Sequence, residues 1–194
     1  MYPQGARSIA RRRSWRTLIS GKGRESPDVL ANFWNPLLPG QIRDRLVITE
    51  ELKRDVIDLE GRDFVVVEVG HTDTDYTTCL HGPSVGLVVA GDVAYNDVHL
   101  YLTESNMQTR REWIAALDKI GSLNPRAVIA GQKRPGNDDS PKIIEETRQY
   151  IRDFDHVAGT TTTARALYDK MLELYPDRVN PGGALWLSAR AVKP

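Results

Sequence analysis

The sequence predicts an α/β fold in which a small sheet of buried strands is followed by amphipathic helices. Three apolar, β-branched runs each end in a glycine followed by a polar residue, at Gly70-His71, Gly91-Asp92 and Gly131-Gln132. Unbroken apolar runs are typical of buried strands, so these three runs predict buried strands. Helical patterns follow the second and third runs. The glycine ends should then bring polar side chains to the edge of the sheet.

Length and composition indicate one ordinary globular domain. The chain has 194 residues, of which 40% are apolar and 27% charged, and its formal net charge is zero. This balance gives no overall field that would attract nucleic acid. No apolar run approaches the eighteen or so residues of a membrane span. The single cysteine, Cys79, excludes an intrachain disulfide, so we expect a cytoplasmic protein. From the charge balance and the short apolar runs we expect neither nucleic-acid nor membrane partners.

The first 24 residues differ from the rest in composition. They contain seven lysine and arginine residues and no acid. Such a segment is either a disordered basic tail or a mitochondrial presequence, and its weak amphipathic pattern favours the tail. The predicted organisation is therefore a basic tail over residues 1–24, a domain over 25–175 and an extended tail over 176–194. Mitochondrial localisation is the alternative to the cytoplasm.

The first half of the domain should contain a short helix and several strands. Ser26-Pro27 has the pattern of an N-cap followed by proline at the first helical position, and Asn35-Pro36 should end that helix in a loop. Apolar runs separated by charged or glycine-containing turns predict strands at 46–48, 56–59, 64–69, 77–80 and 85–90.

Three helices are predicted in the second half. Ser105 and Gln108 have the spacing of a capping box, and the apolar stripe that includes Trp113 follows them until Asn124-Pro125. After a strand at 127–130, Ser140-Pro141 begins a helix that should reach about residue 155 before Gly159 and the four threonines at 160–163 break it. A third helix should run to Tyr175, before Pro176.

His71 and Asp92 are the best candidates for a metal site. Imidazole and carboxylate groups suit zinc, iron or manganese, but two ligands are fewer than the three or four that a zinc site normally takes. The same side chains could simply cap backbone amides in their loops. Asp73 and Asp75 lie in the loop of His71, where they could bind metal, orient the imidazole or form Asx turns with the neighbouring threonines.

Other polar residues have weaker patterns. Cys79 and His81 share one face of a strand, which permits a thiol–imidazole pair, although a packed cysteine is the more common outcome. Tyr95 and His99 follow Asp92 and should lie in a loop over the strand ends, either as substrate contacts or as surface residues. Gln132 and Lys133 follow the third strand, where Lys133 could offer a positive charge to an anionic substrate or lie in a solvated basic loop.

Three segments resemble the C-terminal half of metallo-β-lactamase-fold proteins. They read VEVGHTDTDYTTCLH, PSVGLVVAGDVAYNDVHLYL and AVIAGQKRPGNDD, and the resemblance covers residues 44–154. It implies an αββα sandwich represented mainly by its second βα half, with zinc, iron or manganese as the cofactor. His71 would correspond to the metal-binding histidine of the Gly-His-Thr turn. Asp92 would correspond to the carboxylate that bridges two metals.

Two departures from the family pattern bear on function. The HxHxDH signature of the first half is missing, since no histidine precedes His71, and Gln132 stands where a final histidine is expected. The sequence thus predicts a truncated hydrolase descendant that is inactive or weakly active. The alternative is an active hydrolase of a small ester, thioester or lactone, completed by a partner chain or a missing N-terminal half. A homo-oligomer or another partner would cover the sheet face that the incomplete sandwich exposes.

Overall fold

The computed structural model describes residues 9–10, 27–41 and 50–193, and the chain divides into two compact units, Met1–Asp55 and Val56–Pro194. In the first unit, β1 (Ile9–Ala10) pairs in parallel with β2 (Glu50–Glu51). The predicted strand at 46–48 and most of the basic tail lie outside the described residues.

A short helical region of the first unit begins at Pro27, as the proline at its first position predicts. It consists of α1 (Pro27–Val29), a π-helical turn (Leu30–Trp34) and α2 (Asn35–Leu37). The prediction that Asn35-Pro36 forms a loop is therefore wrong. Proline is tolerated here because it lies in the first turn of α2. Backbone N–H groups in the first turn have no carbonyl acceptor within their helix, so the lack of an N–H in proline costs no helical hydrogen bond.

A five-stranded mixed sheet forms the centre of the second unit. Its strands, in spatial order, are β3 (Val56–Leu59), β4 (Arg62–Gly70), β5 (Thr77–Gly82), β6 (Leu87–Asn96) and β7 (Ala127–Lys133). The first four strands pair antiparallel in succession, whereas β6 and β7 are parallel. It follows that β4, β6 and β7 run in one direction and deliver their carboxyl ends to the same side of the sheet.

The helices predicted after β6 and β7 are present, but they begin and end at other residues than the sequence predicts. The helix α3 (Met107–Ser122) is capped by Asn106, whose side chain accepts hydrogen bonds from the backbone of Gln108 and Thr109, instead of by Ser105. The helix α4 (Ile143–Thr160) continues through Gly159, because Val157 and Ala158 of its last turn are buried against the core. Thr163 then caps α5 (Ala164–Leu174).

The C-terminal segment is helical, so the prediction of an extended tail is wrong for this part of the chain. A π-helical turn (Pro181–Leu185) leads into α6 (Trp186–Val192). Leu185 and Ala189, four residues apart, are buried, and the Trp186 ring lies 5.4 Å from that of Tyr168. Burial of an apolar helical stripe overrides the extended tendency of Pro181-Gly182-Gly183.

The two faces of the sheet differ in burial. One face packs against α3 and α4, and its inward residues, such as Val88, Ala90 and Val128, are buried. On the opposite face, Val66, Leu80, Val89 and Ile129 are paired in register and only half-buried. The second unit is thus an α/β arrangement of one sheet and a helical layer, as predicted. None of the helices in the described ranges is long and apolar enough to cross a membrane.

The strand β7 lies at one edge of the sheet, and the chain that follows it folds back along this edge. The backbone N–H of Val128 donates to the carbonyl oxygen of Asp139 at 2.8 Å, and the Lys133 ammonium lies 2.7 Å from the Asp139 carboxylate. Part of the outer hydrogen-bonding edge of β7 is therefore occupied by its own loop.

Candidate functional site

Gly70-His71 lies at the carboxyl end of β4, whereas Gly91-Asp92 lies at a register shift within β6, so the prediction that this strand ends at Gly91 is wrong. Gly70 and Gly91 have φ angles of +91° and +56°, a left-handed conformation that glycine adopts readily. These glycines redirect the chain, so His71 and Asp92 leave the regular alternation of their strands. Gly131 has a different role, because a Cβ atom at this position would lie 2.6 Å from Asp92 Oδ1. The absence of a side chain at Gly131 makes room for the Asp92 carboxylate.

The imidazole of His71 is held by one carboxylate and leaves one nitrogen without a partner. Its Nδ1 lies 2.8 Å from Asp75 Oδ1. In the tautomer that donates from Nδ1 to this carboxylate, the lone pair of the ring is on Nε2. Nε2 is buried and has no hydrogen-bond partner among the residues that the structure describes. An orphaned, buried lone pair is costly to leave unsatisfied and is the kind of donor that a metal ion takes.

Internal hydrogen bonds hold the rest of the His71 loop. The Thr72 hydroxyl lies within hydrogen-bonding distance of the Asp73 carboxylate and of the Thr77 hydroxyl, at 3.1 and 2.8 Å. Thr77 in turn donates to the carbonyl oxygen of Thr74. Asp73 is buried within this network. The structure therefore gives the two carboxylates different positions: Asp73 contacts the threonines, and Asp75 contacts the imidazole.

Asp92 is the second ligand-type side chain at this edge. It is half-buried and forms no hydrogen bond or ion pair with any residue in the described ranges. His71 Nε2 and Asp92 both suit zinc, which accepts nitrogen and oxygen donors. However, within residues 9–10, 27–41 and 50–193 no three His, Cys, Asp or Glu side chains are placed to hold a metal ion. The described residues therefore do not fit a complete metal site, and only His71 and Asp92 could serve as its ligands among the predicted candidates.

Gln132 and Lys133 lie on β7 beside these residues. Gln132 is opposite Tyr95 in the register of β6 and β7, and it is exposed. A neutral amide at this position is a poorer ligand for a transition metal than an imidazole. The Lys133 ammonium is engaged by Asp139, which reduces the charge that it could offer to an anionic substrate.

Tyr95 and His99 lie in the core, not in a loop over the strand ends. Tyr95 is 3% exposed and belongs to β6, where its ring packs 6.1 Å from that of Trp113. His99 is 0% exposed, and its Nδ1 lies 2.9 Å from the Tyr150 hydroxyl. The predicted loop location was wrong because β6 continues past the register shift at Gly91. Burial argues against contact between either side chain and a substrate.

The thiol–imidazole alternative is not favoured by the environment of Cys79. The thiol is 3% exposed, and burial raises its pKa to about 11, with the charge of Lys119 acting in the opposite direction. Such a thiol is protonated at neutral pH and is a weak nucleophile. Cys79 is accordingly a packed core residue on the helix-covered face of the sheet.

One polar cleft was not predicted from the sequence. It has a volume of about 420 Å³ and lies between the ends of β6 and α5 and the start of α4. Its residues come from four separate segments, including the turn around Arg178, and none of these segments contains a recognisable motif. Only the tertiary fold brings them together.

The sequence profile described as the metallo-beta-lactamase superfamily matches residues 6–132, which extends the resemblance towards the N-terminus. A metallo-beta-lactamase family protein from Thermus thermophilus is 18% identical, with a TM-score of 0.56, and the alignment covers 97% of this chain and 65% of that one. A beta-lactamase domain protein from Burkholderia ambifaria is 15% identical, with a TM-score of 0.58 and coverages of 96% and 58%.

These structural likenesses concern the fold alone, because both identities are low. The chain spans about 58–65% of the length of these two structures. No curated protein sequence matches the chain.

Proposed function

Since the chain belongs to the metallo-beta-lactamase superfamily, we propose that it is a hydrolase descendant that is inactive or weakly active on its own. The observation that carries this proposal is the ligand count at the sheet edge. The described residues supply His71 and Asp92, whereas a third strand end presents Gln132. A catalytic zinc normally takes three protein ligands, so a pair of ligands holds a metal weakly.

The alternative is an active metal-dependent hydrolase of a small ester, thioester or lactone, completed by a partner chain or by a missing N-terminal half. Two features of the partial site favour this alternative. Asp75 orients His71, whose buried Nε2 is not bonded to any described residue, and Gly131 leaves space for the Asp92 carboxylate. A bound metal would supply Lewis-acid chemistry and an activated water. The residues of this chain would then contribute one imidazole and one carboxylate to the ligand set.

A partner is also proposed for the half-buried face of the sheet. Val66, Leu80, Val89 and Ile129 form an apolar row on this face. Apolar rows of this kind gain stability when a second apolar surface removes them from water. A homo-oligomer would cover the row without requiring a different protein.

Localisation follows from sequence features alone. The single cysteine is compatible with a reducing compartment, and the basic N-terminal segment allows mitochondrial import. We therefore propose a cytoplasmic protein, with mitochondrial targeting as the alternative.

Metal content of the purified protein tests the proposal. The unmodified chain, purified without chelator, should contain well under one equivalent of zinc, iron or manganese by mass spectrometry. The Gln132→His variant adds an imidazole at the strand end and should retain more metal than the unmodified chain. Gln41→His, at an exposed position of the first unit, is the matched control and should retain no additional metal.

Hydrolysis of an ester and lactone panel complements the metal measurement. The unmodified chain should show little or no turnover above background. Stoichiometric metal in the unmodified protein together with turnover would refute the proposed inactivity and establish the alternative. Equal metal gains in Gln132→His and Gln41→His would show that position 132 does not belong to the site.

A further inference from the structure

The polar cleft described above contains neither His71 nor Asp92. It is formed by the end of β6, Asn137 of the loop after β7, the start of α4 and the segment from the end of α5 to Arg178. A volume of about 420 Å³ lies within the range of small-molecule sites in proteins. The cleft is therefore large enough for a ligand and separate from the strand-end site.

Arg178 is the buried charge of this cleft. It is 9% exposed, and its guanidinium lies 4.8 Å from the centre of the Tyr150 ring and 4.9 Å from that of Tyr175. Two of its N–H groups donate to the carbonyl oxygens of Val98 and Glu146. Guanidinium has five N–H donors, so these bonds leave donor capacity for an anion. The rings and carbonyls hold the group in place.

Arg178 has no carboxylate of its own within the part of the chain that the structure describes. The carboxylates of Asp97 and Glu146 stabilise the charge of Arg178 electrostatically, without a direct ion pair. Asp97 is engaged by Arg134, with Oδ2 and Nη1 2.8 Å apart. Glu146 lies 4.0 Å from the Lys142 ammonium. A buried cation without a direct anionic partner is energetically costly, so a ligand carboxylate at Arg178 would offset that cost.

Asp177 is the remaining charge of the cleft lining. Its side chain is exposed and forms no hydrogen bond or ion pair with the described residues. Its backbone carbonyl accepts a hydrogen bond from Arg134, which fixes this part of the chain. Because Asp97 and Glu146 have basic partners, the charged groups of the lining that remain to bind a ligand are the Arg178 guanidinium and the Asp177 carboxylate.

Another part of the cleft wall is fixed by amide hydrogen bonds. Asn137 donates to Asn96 Oδ1 at 2.8 Å, and Asn96 donates to the carbonyl oxygen of Asp138 at 2.8 Å. Both asparagines line the cleft. A preformed polar wall lowers the entropic cost of binding a small polar ligand.

We propose that this cleft binds a small zwitterion of the α-amino-acid class. The ligand carboxylate pairs with the Arg178 guanidinium, and the ligand ammonium pairs with the Asp177 carboxylate. Leu174, Tyr175 and Pro176 give the same cleft an apolar portion that accommodates a short side chain. The site stands independently of the strand-end chemistry, because the two share no residue.

Titration of the full chain with L-alanine tests the proposal, with backbone amide chemical shifts as the readout. L-Alanine should give saturable shifts centred on residues 96–97, 137, 142–146 and 174–178, with a dissociation constant on the order of 1 mM or lower. Acetate carries only the anionic group and ethylamine only the cationic group. Each should bind at least about tenfold more weakly than L-alanine.

Two variants complete the test. Asp177→Asn removes one charge from an exposed side chain while keeping its shape, and it should weaken L-alanine binding at least about tenfold. Glu173→Gln removes a charge from a neighbouring exposed residue that pairs with Lys170, and it should bind as the unmodified chain does. Absence of saturable shifts, equal affinity for acetate and L-alanine, or full binding by Asp177→Asn would each overturn the proposal.

Discussion

His99 is a titratable residue in the core of the second unit. Its side chain is fully buried beside the Tyr150 hydroxyl, and burial, followed by the charge of Arg178, lowers its pKa from 6.5 to about 4. The ring is therefore neutral in the folded protein at neutral pH. In the unfolded chain the same ring becomes protonated at a higher pH, so protons bind preferentially to the unfolded state.

Replacing His99 should remove part of the pH dependence of stability. The stabilisation from the neutral ring is fully present above about pH 6.5 and is lost as the pH falls towards 4. The loss amounts to roughly 2–3 kcal/mol of unfolding free energy across this window. His99→Gln should lack this contribution, so its stability relative to the unmodified chain should improve as the pH falls. Urea unfolding at four pH values, from about 7.5 down to about 4.5, measures the difference.

His156 provides the control for this experiment. Its side chain is exposed on α4, so His156→Gln should follow the pH dependence of the unmodified chain. Parallel stability curves for the unmodified chain and His99→Gln would contradict the assigned role of His99.

The start of α3 shows how one helix end is fixed by a single side chain. Asn106 accepts hydrogen bonds from the backbone of Gln108 and Thr109, and the Thr109 hydroxyl accepts one from the Asn106 backbone. These bonds satisfy donors that no helical carbonyl can reach. The stripe that includes Trp113 and Leu117, which is buried, then packs against the core.

Removal of this cap should lower the stability of the protein. Asn106→Ala leaves the first N–H groups of α3 without their side-chain acceptor and should cost about 1 kcal/mol of unfolding free energy. Gln108→Ala is the control, because its side chain is exposed and hydrogen-bonds Glu112, and the change should alter stability by less than about 0.5 kcal/mol. Chemical denaturation of both variants measures the two costs. Similar losses in both would contradict the cap assignment.

Sequence patterns predicted most elements of the second unit but not all of their ends. The strands at 64–69, 77–80 and 127–130 are confirmed within longer strands, and the strand at 56–59 coincides with β3. The strand predicted at 85–90 is shifted: β6 begins at Leu87, after a 3-10 turn at Pro83–Val85, and continues to Asn96. Ser105 and Asn106 are both good caps, so the pattern alone could not choose between them. Gly159 remains helical because neighbouring side chains are buried, and burial is a tertiary property that local propensity does not contain.

The candidate site was partly predictable from the sequence. The three glycines indicated where polar side chains leave β4, β6 and β7, but Gly91 lies at a register shift within β6 and does not end that strand. Which aspartate contacts His71 depends on the loop conformation, including the left-handed Tyr76, so the sequence left Asp73 and Asp75 equivalent. The Arg178 cleft combines segments distant in sequence, and no local pattern indicates such a combination.

The two faces of the sheet in the second unit should differ in their tendency to bind a second copy of the chain. Leu59 is 57% exposed on β3 and shares the half-buried face with Ile57 and Phe64. If a second copy covers this face, Leu59→Lys places a charge in the interface and should raise the dimer dissociation constant at least about tenfold. Sedimentation velocity over a range of protein concentrations measures the change.

Leu187 provides the matched control for association. It is 46% exposed on α6, so Leu187→Lys introduces the same charge away from the sheet. This variant should associate as the unmodified chain does. A monomeric unmodified chain at all concentrations, or equal effects of the two lysines, would rule out a homo-oligomer through the sheet face.

The loop that folds back along β7 also affects resistance to aggregation. An unpaired edge strand is a template onto which a strand from another molecule can add. At β7 the N–H of Val128 is already bonded to Asp139, so an incoming strand must first displace that loop. The opposite edge is β3, which is only four residues long. Fibril-like growth of the five-stranded sheet would therefore begin at β3, and a proline in that strand would be the most direct protection against it.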